Sequence, residues 1–156
     1  MCARRVSIRR IFVTHQEKLE EIHTLLEQEL HLYQRWLSLL TQVEDSISYK
    51  AQEEALLAST GIQEIVQEVA TIRFDVIDAI SDFSRRAAQN ELDSSVVLAV
   101  FTLQENITLL QNKVNKKAIT LQKQVQVAPE GGFTKQVQLS VDHSLDVLQQ
   151  LSQRKQ

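Results

Sequence analysis

The one stretch with metal-ligand spacing is Glu20-Glu21-Ile22-His23, a Glu-x-x-His step that sets a carboxylate and an imidazole one helical turn apart. A dinuclear iron or manganese centre in a helical bundle needs two such steps and two further inward carboxylates, because each metal must be bridged and its charge balanced. No second Glu-x-x-His step occurs in the chain. On a helical wheel Ile22 takes the apolar position, His23 flanks it and Glu20 turns outward, so no metal ligands are assigned. His15, His31 and His143 read as surface or boundary residues. Ser140-Val141-Asp142-His143 holds the residue types of a hydrolytic triad, but neighbours on one helix do not converge on an exposed nucleophile. Gly131-Gly132 has no strand before it and no Gly-Lys-Ser/Thr after it, which removes a phosphate loop. No catalytic residue and no cofactor is expected, and the chain reads as a binding protein, not an enzyme. Trp36, with Tyr33 one turn earlier, is either a partner anchor or core at the margin of a stripe, and the second reading is favoured.

Composition points the same way. The 156 residues suffice for one domain and a tail, and they include only 3 glycines and 1 proline. Cys2 is the single cysteine, so a disulfide scaffold is excluded and a reducing compartment fits. No run approaches the roughly 20 apolar residues of a membrane-spanning helix, and Ile11-Phe12-Val13 is too short for the apolar region of a secretory signal. A cytoplasmic protein without membrane insertion is the expectation. Asn106-Ile107-Thr108 fits the glycosylation acceptor pattern but falls within an expected helix, and is read as chance.

Charge is unevenly spread. Residues 1–13 hold Arg4, Arg5, Arg9 and Arg10 and no acid, while 14–60 hold nine acidic and three basic residues. Apart from that start, no basic stripe exists for a phosphate backbone to follow, so nucleic acid is not an expected partner. Residues 1–13 are taken as a basic, flexible arm.

The elements follow from periodicity. Thr14-His15-Gln16-Glu17 fits a capping box that would start the first helix. Leu19, Ile22, Leu26, Leu30, Tyr33, Leu37, Leu40, Val43 and Ile47 draw its apolar stripe, and the helix is expected to run on to about Leu57. Ser59-Thr60-Gly61 is the expected break, with Thr60 and Gln63 capping a second helix along Ile62, Ile65, Val66, Val69, Ile72, Val76, Ile77, Ile80 and Phe83. Asp93 or Ser94 would cap a third helix along Val97, Val100, Leu103, Ile107, Leu110, Val114, Ala118, Leu121 and Val125. The expected fold is all-α: an elongated antiparallel bundle over 14–125, running up, down and up. A Pro/Gly linker over 126–134 follows, with Pro129, Gly131 and Gly132 as its breakers. Val137, Val141, Leu145, Leu148 and Leu151 then mark a shorter amphipathic helix within 135–156, which either closes the bundle or waits for a partner.

Leu25-Leu26-Glu27-Gln28-Glu29-Leu30, followed by Tyr33-Gln34-Arg35-Trp36-Leu37-Ser38-Leu39-Leu40, resembles the opening helix of the FlgN family of flagellar export chaperones. The resemblance extends over a second acidic helix, a third through Leu109-Leu110-Gln111-Asn112-Lys113-Val114-Asn115, and the amphipathic C-terminal segment. It implies a non-catalytic cytoplasmic chaperone that holds the terminal helices of hook-filament junction proteins, the hook-associated proteins, and prevents their premature assembly. It also implies a C-terminal client-binding region, which here matches Val137, Val141, Leu145, Leu148 and Leu151. The alternative is a structural or assembly protein in which the long stripes form a homodimer.

Overall fold

The computed structural model describes residues 2–49, 51–86, 94–127 and 132–154, with side chains described over 17–49, 51–83, 95–126 and 135–152. Four helices account for them: α1 (Cys2–Ser48), α2 (Gln52–Arg86), α3 (Ser94–Val127) and α4 (Gly132–Arg154). The expected all-α bundle of three long helices and one shorter C-terminal helix is what forms. α1 packs on α2 and α3, and α4 packs on the same two, so α1 and α4 face each other across the diagonal. Pairings of Lys18 with Asp82 and of Glu29 with Arg73 make α1 and α2 antiparallel. His143 beside Gln63 sets α4 parallel to α2. The chain thus runs up, down, up and down, and the α2-to-α3 connection joins diagonal helices.

Several boundaries differ from those expected. α1 begins at Cys2, and Met1 lies outside the described residues, so residues 2–13 of the segment read as an arm supply the first turns of a helix. Its residues include Ala3 and four arginines, all good helix formers, and a cap at Thr14 is too weak to stop the helix propagating through them. The expected linker residues 126, 127 and 132–134 are helical: α3 reaches Val127, α4 starts at Gly132, and 128–131 lie outside the described residues.

The first reversal falls between Ser48, where α1 ends, and Gln52, where α2 begins, and not at Ser59-Thr60-Gly61. The Ala51 N–H donates to the Ser46 carbonyl and the Tyr49 N–H to the Asp45 carbonyl, bonds that close off α1 after Ser48. α2 then continues straight through Gly61, and the Thr60 hydroxyl donates back to the Leu56 carbonyl instead of capping a new helix. Gly61 answers to packing: a Cβ there would stand 3.1 Å from Leu39 Cδ1 on α1. The glycine lets the two helices approach closely, at a cost of about 1 kcal/mol in helix propensity.

The buried positions are slightly rotated from the expected stripe on α1. Leu30, Leu37 and Ile47 are half-buried, whereas Glu29, Trp36 and Ser46 are buried. On α2 and α3 most of the apolar series is as read; Val76 is fully enclosed beyond the end of α4, but most other stripe residues there are not. Ile62, Val66, Val69, Val114, Ala118 and Leu121 are fully enclosed; Ile77, Ile80, Val97, Val100 and Leu103, beyond the end of α4, are half-exposed.

One ion pair lies inside the α1–α2 interface. Arg73 Nη1 donates to both carboxylate oxygens of Glu29, at 2.9 and 3.2 Å, and Glu29 is 0% exposed. Tyr33, one turn along α1, stacks on Trp36 with centroids 5.9 Å apart, and its hydroxyl has no hydrogen-bond partner among the described residues. Burial, reinforced by the Glu29 charge and opposed by Arg73, pushes the Tyr33 phenol well above the ordinary tyrosine range.

Three outcomes follow. Gly61→Leu should lower the urea-unfolding free energy by about 1–3 kcal/mol through overpacking, and Leu39→Ala should recover part of that loss. Arg73→Met, which strips the cation from a buried carboxylate, should cost about 3–5 kcal/mol, whereas Glu29→Leu/Arg73→Met together should cost much less. The unfolded chain releases the Tyr33 proton near pH 10 while the folded chain retains it, so stability falls as pH rises above about 10. Tyr33→Phe should remove that increment of alkaline loss and leave stability at pH 7 unchanged or slightly raised, as measured by thermal melts across pH.

Candidate partner-binding site

α4 is built from a narrow apolar stripe and two small hydroxyl residues. Val137, Val141, Leu148 and Leu151 are all at most 3% exposed, Leu145 is half-buried, and all five line the side turned into the bundle. The five residues assigned to a partner are therefore brought together, but as core, in the trough between α2 and α3. In this packed arrangement they are covered.

Polar contacts set the height of α4 in that trough. The Trp36 indole N–H donates across the diagonal to Ser144 Oγ at 3.1 Å, and the Ser144 hydroxyl donates to the Ser140 carbonyl at 2.9 Å. Ser140 in turn donates to the Val137 carbonyl at 2.8 Å, so both buried hydroxyls are satisfied. Toward α2, His143 Nδ1 lies 2.7 Å from Gln63 Oε1. Toward α3, Gln122 Nε2 donates to Asp142 Oδ1 at 3.1 Å. Trp36 is core, the reading favoured from sequence, and it is also the one tryptophan of the chain. The serines escaped sequence reading because a Ser on an apolar stripe looks neutral until a facing donor is known. Their spacing of four residues, in step with Val137, was the available signal.

The other candidates disperse. Ser140 turns into the core, Asp142 toward α3 and His143 toward α2, so the Ser-x-Asp-His run converges on nothing. Glu20 is exposed, and His23 Nδ1 lies 2.9 Å from Glu27 Oε1. Among the described residues no three His, Cys, Asp or Glu side chains gather to hold a metal ion, and no helix is long and apolar enough to cross a membrane. His31 is exposed, and the side chain of His15 lies outside the described residues. Lys117 Nζ reaches Glu44 of α1 at 2.8 Å.

The α4 interface thus combines modest apolar burial with a polar contact at its centre, whereas α1 and α2 pack along most of their lengths. Ser144→Ala should strand the buried Trp36 N–H and cost about 1–3 kcal/mol in urea unfolding followed by tryptophan emission. In comparisons with protein-family models, curated proteins and solved structures, nothing matches this chain.

Proposed function

We propose that this chain is a non-catalytic cytoplasmic export chaperone whose α4 leaves the bundle to hold the terminal helices of flagellar hook-filament junction proteins. The observation that carries the binding part of the reading is the packing of α4. It is a short amphipathic helix seated in a trough between two longer ones, with serines at its centre and a Pro-Glu-Gly-Gly segment ahead of it. The flagellar part of the reading rests on the resemblance in Leu25–Leu30, Tyr33–Leu40 and Leu109–Asn115.

The mechanism is an exchange of helix partners. Once α4 undocks, Val137, Val141, Leu145, Leu148 and Leu151 offer a client an apolar face with anchors three and four residues apart, as in helix-in-groove recognition. Docked, the same face is satisfied internally, so the unoccupied chaperone exposes little of it. Apparent affinity is the intrinsic affinity scaled by the fraction undocked: if α4 is free about 1% of the time, binding weakens about a hundredfold. Such a helix releases its client readily, which suits a carrier that hands cargo on.

Locking α4 tests this. Gln63 and His143 already touch across α2 and α4, so Gln63→Cys/His143→Cys in the Cys2→Ser background places a cross-link at that contact. Isolated terminal helices of junction proteins should bind the reduced protein and raise the exposure of Trp36. The oxidised protein should bind at least tenfold more weakly and recover on adding reductant, and a chain ending before Pro129 should not bind. Equal binding by the oxidised form, or by the truncated chain, overturns the role of α4.

A further inference from the structure

α3 is apolar on two sides. With about 100° of turn per residue, Ile107, Val114, Ala118 and Leu121 share its buried side, and Phe101, Leu109 and Ile119 fall within an arc of about 80° that faces away from it. Leu109 is 60% exposed, Phe101 59% and Ile119 39%. A helix in a four-helix bundle needs one apolar stripe, and a second, exposed one marks a surface that meets another helix. Glu105, Asn112 and Lys116 are exposed on the same outer face, between these residues. The order along this face has a symmetry. Phe101 and Ile119 stand nine residues either side of position 110, Leu109 stands beside it, and Glu105 and Lys116 stand five and six residues either side. Apolar residues are thus mirrored about the centre while charge is inverted. Glu105 is the one acid of α3, and its four lysines, Lys113, Lys116, Lys117 and Lys123, all follow the centre.

We propose that this face is covered by α3 of a second copy, packed antiparallel about a twofold axis at position 110. Such an axis brings Phe101 to the level of Ile119 in the second copy and Glu105 to the level of Lys116, and it sets the two Leu109 side chains together at the centre. Phe101 and Ile119 occupy the same flank of the face, about 80° from Leu109, so they meet on one side of the pair. The seam from 101 to 119 is about 27 Å long, and all of its side chains fall within the described span 95–126. Charge selects the direction. Antiparallel pairing sets each Glu105 against Lys116 of the second copy in two symmetric ion pairs, whereas parallel pairing would stack lysine on lysine. Lys117 is held by Glu44 of its own α1. α1 and α4 pack on the inner flanks of α3, so α3 forms a corner at which two bundles can meet helix to helix. A foreign helix would need the same order of residues in reverse; a second copy has it by construction, and one isologous contact satisfies both faces.

The seam uses none of the residues that hold α4, so the pairing stands or falls apart from α4 release. Light scattering on the intact chain at tens to hundreds of micromolar should give twice 17.9 kDa. Leu109→Asp, a change at an exposed position, should give a monomer with the same helical circular dichroism. Glu105→Lys should weaken the dimer by about tenfold or more, and adding Lys116→Glu should restore it to within about threefold. Cross-linking reads the direction. In the Cys2→Ser background, a mixture of Glu105→Cys and Lys116→Cys chains should oxidise to a mixed disulfide. Neither should cross-link with itself, because like positions stand about 15 Å or more apart along the seam. An intact chain that stays monomeric over this range overturns the proposal, as does a dimer that survives Leu109→Asp or is indifferent to Glu105→Lys. Glu105→Cys chains that join one another as readily as they join Lys116→Cys chains overturn it too.

Discussion

The Glu29 carboxylate has no exposed surface, and burying such a charge without a counterion would cost several kcal/mol. Arg73 on α2 meets it with one Nη1 shared between both oxygens, and this meeting ties one height on α1 to one height on α2. A slip of one helical turn along the interface would separate the charges inside the core. The pair therefore acts less as net stabilisation than as a register mark, a role to which buried ion pairs are well suited. With that register, Gly61 falls opposite Leu39 and Lys18 opposite Asp82, and Trp36 stands at the height where Ser144 arrives from the far corner.

α4 depends on this frame more than the frame depends on α4. α1 and α2 present a continuous interface of large aliphatic side chains, Leu26, Leu40, Ile62 and Ile65 among them, and close approach at Gly61 tightens it. α4 brings valines, leucines and two buried serines, and is positioned by bonds to Trp36, Gln63 and Gln122. Hydrogen bonds of this kind add little net stability when made and much specificity, because leaving any of them unmade in the core is costly. The last helix is thus accurately placed but modestly held, the combination that a displaceable element requires.

Unequal helix lengths give the two ends of the bundle different characters. Near the junction of α1 and α2 four helices enclose the core; at the opposite end, among the described residues, three helices leave Ile77, Ile80, Val97 and Val100 half-covered and Phe74 and Phe101 outside. Exposed phenylalanines such as Phe74 and Phe101 are unusual on helices that need only their inner stripes.

The all-α class and the stripes on α2, α3 and α4 were legible in the amino-acid order, because apolar residues every three or four positions leave a helix only one face to bury. That Ser140, Asp142 and His143 would not converge was also readable, since neighbours on one helix point in different directions. The first turn was not legible, because Gly61 looks like a breaker in any local reading and Tyr49-Lys50-Ala51 contains no breaker at all. The series Ala55, Ala58, Ile62 and Ile65, unbroken across the glycine, carried the true signal. Glu29 sits at a stripe position between Leu26 and Tyr33, but sequence gives no means of telling a buried acid from a surface one until Arg73 is found 44 residues away. Sequence by itself determined which residues want to leave water. Tertiary structure decided which helix covers them, because the partners that settle a turn, a register or a buried charge lie on other helices, and local spacing carries no information about them.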